Sequence, residues 1–463
     1  MVRRGDAAVT NSVIETDRTS GLRPRRLLGV WQPSAVVVGM VVGAGIFRTS
    51  SLAAQTLPSE AAVLIAWALG GVFAIAASLC YAELSTAFPS PGGEYHFLRE
   101  AFGGTVGFLF AWSRFAIIFT ASSAMLAFVG ADYIAQIVPM GPAARAGVAI
   151  GLILILTLLN ARGVRSSTGG QMALVTLDVT ALLALAVAGV ALTLMSGAAS
   201  HVPPRTQVAN PIVGFGSAMV FVMLAYGGFN DSATLSAEVR RPSDMTRALV
   251  GGMGLVTALY LVANWAYLEG LGLTGLRASD APAADLMGRA FGPVGRTAMA
   301  AVVAATSLSS LNALVIVGSR TLYAASADQP SLARLARWDL DRGVPRAALW
   351  VQATISILLV GWGALSRRGF AAMVDYMAPV YWLFLATAGV AVLVLRIRRP
   401  EQPRPYRAPW LPVSAAILIG GALYILLSSV LYVGWTGCAL SFGVLASGLV
   451  ALLAARRLSR TRQ

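Results

Sequence analysis

Residues 39–47 read G-M-V-V-G-A-G-I-F, and they lie in the middle of the first long apolar run, 28–57. Gly43, Ala44 and Gly45 are consecutive. Glycine costs about 1 kcal/mol in a helix interior relative to alanine. Two in three positions weaken the helix where a bilayer is driest. A broken helix exposes backbone N–H and C=O groups, and in hydrocarbon each unpaired group costs several kcal/mol. The break therefore needs protein, water or a ligand against it. Two readings follow. One is close helix–helix packing, which small residues also mark. The other is a binding site that uses the freed backbone.

The rest of the chain makes the membrane reading firm. Its 463 residues are 57% hydrophobic and 12% charged, with a mean hydropathy of +0.72. That composition excludes a soluble globular protein. Many apolar runs reach the ~20 residues that cross a bilayer as helix, and the alternation of barrel strands is absent. The fold class is an all-α polytopic membrane protein of about twelve spans: 28–57, 61–85, 104–138, 146–160, 168–195, 212–237, 248–271, 295–325, 347–365, 370–395, 411–432 and 435–455. The net charge of +15 is carried by arginine alone, since the chain has no lysine. Its arginines sit in short loops and tails, where the positive-inside rule accounts for them without nucleic acid. Both termini are expected in the cytoplasm, and the Ala/Gly-rich, all-arginine composition points to a bacterial cytoplasmic membrane. Cys80 and Cys438 fall in apolar spans and read as core residues. Loop 88–103 is expected to hold a short amphipathic helix, and 279–291 a second helix at the opposite face.

A second interruption, Gly227-Gly228, lies mid-span in the sixth apolar run. The first and sixth spans open two halves of five spans each. Five is odd, so the second half enters from the opposite side. Gly-interrupted spans at matched positions point to a transporter site at an inverted-repeat interface. The expected organisation is a tail 1–27, a first repeat 28–200, a second repeat 201–395, a loop and two spans over 396–455, and a tail 456–463.

Four stretches carry a family resemblance: G-M-V-V-G-A-G-I-F-R (39–48); Y-A-E-L-S-T-A-F-P-S-P-G-G-E-Y-H-F-L-R-E-A-F-G (81–103); A-Y-G-G-F-N-D (225–231) with A-E-V-R-R-P (237–242); and G-S-R-T-L-Y-A (318–324) with P-R-P-Y-R-A-P (403–409). Together they resemble the amino acid–polyamine–organocation transporter superfamily, near its L-type amino acid transporter branch. The resemblance implies an alternating-access carrier with a LeuT-like five-plus-five inverted repeat and discontinuous helices one and six.

An amino acid needs donors for its carboxylate and acceptors for its ammonium. The outer half of span one starts near Gly45 and Ile46, and a helix N-terminus suits an anion. Ala44, Gly45 and Ile46 are assigned to the carboxylate, and Gly43 is placed in the substrate site with them. Carbonyls at Val41, Leu224, Ala225 and Gly227 suit the ammonium. Side-chain selectivity is expected from Leu224 and Phe229 of span six and from span three, where by similarity Ile118 and Ser122 face the pocket. Leu224 departs from the aromatic gate that L-type carriers usually hold there.

Asp178 stands about ten residues into span five, where many relatives carry lysine. A carboxylate at membrane depth is costly. Three readings stay open: a proton-coupling site, a Na+ site with carbonyls of span one and the hydroxyls of Ser309 and Ser310, or a helix end reaching water or pairing with Arg162 or Arg165. Glu83, Arg114, Glu238 and Asn230 are assigned to gating. Arg114 is expected to snorkel or pair with Glu83, Asn230 to bond span eight, and Arg48 to pair in the outer vestibule.

The resulting expectation is secondary transport of neutral amino acids, by exchange or proton symport. A polyamine or cationic amino-acid carrier and a non-transporting amino-acid sensor are the alternatives. His96 and His201 fall in loops and no HExxH pattern occurs, so an enzyme is not expected. No cofactor is expected beyond H+ or Na+ as coupling ion. Animal relatives of the L-type branch link to a glycoprotein through a cysteine in the third–fourth loop. Residues 139–145 contain none, so no disulfide-linked heavy chain is expected. Oligomeric state has no signature in the sequence.

Overall fold

A computed structural model describes residues 31–90, 92–163, 168–196, 211–237, 239, 241–327, 335–339, 341–366 and 369–460. The chain runs α1 (Trp31–Val41), α2 (Ile46–Gln55), α3 (Glu60–Ala87), α4 (Glu94–Phe102), α5 (Gly104–Ser113), a π-turn (Arg114–Phe119), α6 (Thr120–Ile137), α7 (Pro142–Ala161), α8 (Thr168–Ser196) and α9 (Pro211–Ala225). After α9 come a 3-10 helix (Asp231–Ala237), α10 (Pro242–Ala278), α11 (Pro282–Ala327), α12 (Arg346–Leu365), α13 (Gly369–Arg398) and α14 (Leu411–Arg460). Among the described residues ten helices are long and apolar enough to cross a membrane, and α1 with α2 form a broken eleventh, bent by 45°. The shorter α9 with its 3-10 continuation accounts for the sixth apolar run.

Both interruptions fall where the glycines stand. Residues 42–45 are non-helical between α1 and α2, and 226–230 form a turn after α9. Other boundaries move outward. The fourth span starts at Pro142, where proline suits a first helical turn because its missing N–H has no acceptor there. The seventh extends to Ala278, turning at Gly272 (φ 65°), and the eighth begins at Pro282 and turns at Gly292 (φ 69°). The segment from Pro282 to that turn is the expected second surface helix. Helix α14 holds both last spans, separated by Gly434 at φ 77°. The expected amphipathic helix of the 88–103 loop is α4.

The long third span contains a feature that periodicity does not announce. Over Arg114–Phe119 the helix widens to a π-turn, which frees carbonyls from their usual partners. Neighbours take them up: the Tyr376 hydroxyl donates to Ala116 O at 3.2 Å and Ser356 Oγ to Thr120 O at 3.1 Å. In a membrane such compensation is obligatory. Extensive packing joins α6 with α11 and α3 with α10. These are the third–eighth and second–seventh pairs, which a five-plus-five inverted repeat relates.

The bundle has two ends. One carries α4 and the α13–α14 loop, here the α4 side. The other carries the α10–α11 turn, which meets the end of α2 and the start of α3: Leu273 N–H donates to Glu60 at 3.3 Å and Gln55 Nε2 to Arg277 O at 3.0 Å.

Candidate functional site

The two breaks meet. A side chain on Gly228 would place its Cβ 2.4 Å from Met40 O, the carbonyl just before the end of α1. Gly228 also has φ +103°, which L side chains rarely adopt. Glycine is required there twice over. A Cβ on Gly43 would lie 3.4 Å from Ser310 Oγ, while one on Gly45 would meet nothing within 4 Å. Val42, Ala44 and Ile46 are buried, but Gly43 and Gly45 between them are half-exposed, as are Leu224 and Gly227 on the second break. The break in span one is thus lined by backbone and open on its glycine side.

Its chemistry is that of helix ends. Ile46 opens α2, and the first turn of a helix has N–H groups without intrahelical acceptors. The Gly45 carbonyl is already used, accepting from Arg48 N–H at 3.0 Å and Thr49 N–H at 2.9 Å. On the acceptor side, Val41 O and Ala225 O end the half-helices α1 and α9. Both lie within reach of one hydroxyl: Tyr260 Oη is 2.9 Å from Val41 O and 3.1 Å from Ala225 O. One proton is shared between two carbonyls, so each keeps unused acceptor capacity. Leu224 O accepts from Gly227 N–H at 3.2 Å, and retains a second lone pair.

Tyr260 is the residue that sequence reasoning missed. Its signal is a tyrosine at the middle of an apolar span, where a phenol must find a partner. It is fully buried and packs edge-on to Trp67 at 5.5 Å, with Tyr226 at 5.1 Å. Tyr226 in turn donates to Trp67 O at 3.0 Å. This aromatic group locks α3, α9 and α10 behind the breaks. Phe229 packs edge-on against Tyr81 at 5.5 Å. Ile118 lies within the π-turn and is buried, and Ser122 Oγ reaches Met377 Sδ at 3.6 Å.

Asp178 is 5% exposed. Its neighbour is Thr306 on α11, and its Oδ1 has no partner among the described residues. This corrects the wet-helix-end reading, and no ion pair to Arg162 is formed; Arg165 lies outside the described residues. Thr306 and Ser310 are one helical turn apart on the same face. Asp178 therefore lies about one turn along α11 from the serine that faces Gly43. Ser309 is half-buried beside them.

The α4 side is closed by a polar cluster. Arg114 pairs with Asp231 and lies over the Phe119 ring at 4.5 Å. The Asn230 amide donates to Glu94 Oε2 at 2.9 Å, and the Tyr381 hydroxyl lies 3.4 Å from Asn230 Oδ1. Two expectations change here. Arg114 does not pair with Glu83, because Glu83 is taken by Arg396 at 3.1 Å, Arg404 at 3.6 Å and Ala408 N–H at 2.8 Å. Asn230 bonds α4 and α13, not span eight, because the turn after α9 aims it toward the α4 side. Glu238 lies outside the described residues.

The opposite side is also closed. Arg48 donates to Ser279 O at 2.9 Å and pairs with Asp280 at 2.9 Å. Ser51 Oγ donates to Ser279 O at 2.7 Å. Arg145 bridges Asp132 at 3.5 Å and Asp280 at 3.6 Å. With contacts in place at both ends, the breaks sit in an enclosed centre.

Comparison with known proteins gives the family. The chain is 27% identical to the large neutral amino acids transporter small subunit 2 of Rattus norvegicus over 399 residues, 84% of this chain and 73% of that one. It is 27% identical to the b(0,+)-type amino acid transporter 1 of Mus musculus over 436 residues, 93% and 87% of the two chains. The Asc-type amino acid transporter 1 of Mus musculus is 27% identical over 396 residues, 83% and 73%. The pattern of the amino acid permease family matches residues 28–452, nearly the whole bundle. This protein belongs to the amino acid permease family: it is a membrane transporter, not an enzyme.

Proposed function

We propose that the protein is a secondary transporter of neutral amino acids that works by alternating access, as an exchanger or a proton-coupled symporter. The observation that carries this is the meeting of two helix breaks around the open face of Gly43 and Gly45. Donors at the start of α2 suit a carboxylate, and the Val41 and Ala225 carbonyls suit an ammonium. The pocket is enclosed by contacts on both sides, as a carrier between its two open states requires. Cargo with a neutral side chain is favoured because Asp231, the carboxylate just past the second break, is paired with Arg114. Asp178 is the reading for ion coupling, by H+ or by Na+ with Ser309 and Ser310. The pairing of α3 with α10 and α6 with α11 supports repeats over 28–200 and 201–395. The arginines of the α13–α14 loop favour a cytoplasmic α4 side in a bacterial membrane. Both cysteines are buried, which supports transport without a disulfide-linked heavy chain.

The test is uptake of a labelled amino-acid panel into proteoliposomes, with pH, Na+ and internal amino acid varied. Uptake of one or more neutral amino acids is expected. Failure of every amino acid and amine to bind or enter overturns the reading.

A further inference from the structure

Glu94 is the first residue of α4, entered through Gly93 at φ +49°, and it is 6% exposed. It accepts a hydrogen bond from a neutral group, the amide of Asn230, the last residue of the turn at the second break. The surrounding charged and titratable groups are few. Tyr81 lies beside it from α3, Arg114 from the π-turn, Asp231 from the 3-10 helix and Tyr381 from α13. Arg114 is engaged by Asp231, which is part-exposed to water. Glu83, at the same end of α3, faces Arg396 and Arg404. Arg99 on α4 itself is exposed, and Glu100 pairs with Arg399 at 3.4 Å. A carboxyl has thus been withdrawn from water against a neutral amide, while the neighbouring guanidinium is claimed by another acid.

Such burial disfavours the ionised form. It pushes the Glu94 carboxyl above its ordinary range, against opposing pulls from Arg114, Asn230 and Tyr81. A cleft lined by Glu94, Arg114, Ile118, Asn230, Tyr381 and Leu385 lies alongside, with room for about one water molecule. We propose that Glu94 is a proton-binding site built into the α4-side gate: closing the gate takes a proton from solution onto the Glu94 carboxyl, and opening the gate returns it. This rests on the transport reading, since it assumes a gate that opens. The sign follows from the closed state holding the proton more tightly. Between the open-state and closed-state values the closed form binds more protons, so rising pH favours opening, by up to about tenfold per unit. Asn230 ties this proton to the substrate site, because its position depends on the turn at 226–230.

The test uses a reporter that needs no substrate. Leu385→Cys is placed in a Cys80→Ala, Cys438→Ala background, and its labelling by a water-soluble thiol reagent is followed with pH in the Glu94 and Glu94→Gln proteins. The ratio of the two rates cancels the thiol's own ionisation. A ratio rising several-fold from mildly acidic to mildly alkaline pH supports the proposal, and a constant ratio overturns it. If Glu94→Gln does not assemble, Glu94→Asp is compared instead: a shifted midpoint supports the proposal and an unmoved one overturns it. Failure of uptake across the amino-acid panel would remove the transport reading while leaving the labelling result standing.

Discussion

Replacing Gly45 with alanine separates stability from function. Gly45 has φ −58° and ψ −43°, ordinary right-handed helical angles, at the N-cap of α2. A Cβ there meets nothing within 4 Å. Packing offers no reason for glycine at this position, and its backbone conformation offers none either. Alanine adopts these angles without strain and narrows the unfolded ensemble, which is worth about 0.4–1 kcal/mol. Gly45→Ala should therefore melt at or above the temperature of the parent protein. The same methyl projects into the open face of the break, where the substrate carboxylate is placed. Overfilling a fitted site costs about 1–3 kcal/mol, which corresponds to a Kd weakened roughly 5- to 150-fold. Thermal unfolding in detergent and equilibrium binding of the best amino acid from the uptake panel measure the two effects. Unchanged affinity in a stably folded variant refutes the placement of the substrate. A marked fall in melting temperature refutes the claim that the space is empty.

Gly228→Ala is the opposite case: at φ +103° with Met40 O 2.4 Å from the new Cβ, it carries about 1–3 kcal/mol of backbone strain plus a clash, so both melting temperature and uptake should fall. Tyr260→Phe removes the donor shared by Val41 O and Ala225 O; a buried acceptor left short costs about 1–3 kcal/mol, read as lower thermal stability and a changed substrate Kd, and unchanged values for both dismiss the bridge. Asp178→Asn keeps the shape beside Thr306 and removes the charge, so proton or Na+ dependence of uptake should disappear, and unaltered dependence on both ions removes Asp178 from coupling.

The parts legible in the sequence are those set by the backbone. Two glycine interruptions at matched places in two runs of spans locate the breaks within a few residues; the matching carries the inference, because a glycine pair alone does not stop a helix, as Gly70-Gly71 inside unbroken α3 shows. The pairing of Arg48 with Asp280 was accessible in outline for a similar reason, since an arginine in the outer half of a span needs an acceptor nearby. The π-turn was not legible. It changes one turn from 3.6 residues to a wider count without glycine or proline, and what permits it is tertiary: Tyr376 and Ser356 donate to the carbonyls it frees. Tyr260 was missed because one tyrosine in an apolar span gives its need for a partner but not the partner's place in the chain.

Arg114 shows the same limit in a form that bears on mechanism. A guanidinium in span three demands an acid, and Glu83 lies at the matching depth of its neighbour. Yet Glu83 is already saturated by Arg396 at the end of α13 and by Arg404 and the Ala408 N–H of the following loop, all more than 300 residues away. Those donors fix it to the α13–α14 connection. Arg114 is left to Asp231, just past the second break, and Glu94 to the Asn230 amide beside that acid. Glu83 and Glu94 thus have different work. Glu83, held by two cations and an N–H, fastens one part of the scaffold to another. Glu94, held by a neutral amide on a segment that must move for substrate to leave, is stable in its closed position only while that segment stays. The loop's capture of Glu83 is what leaves the break itself, through Asp231 and Asn230, to close the α4 side.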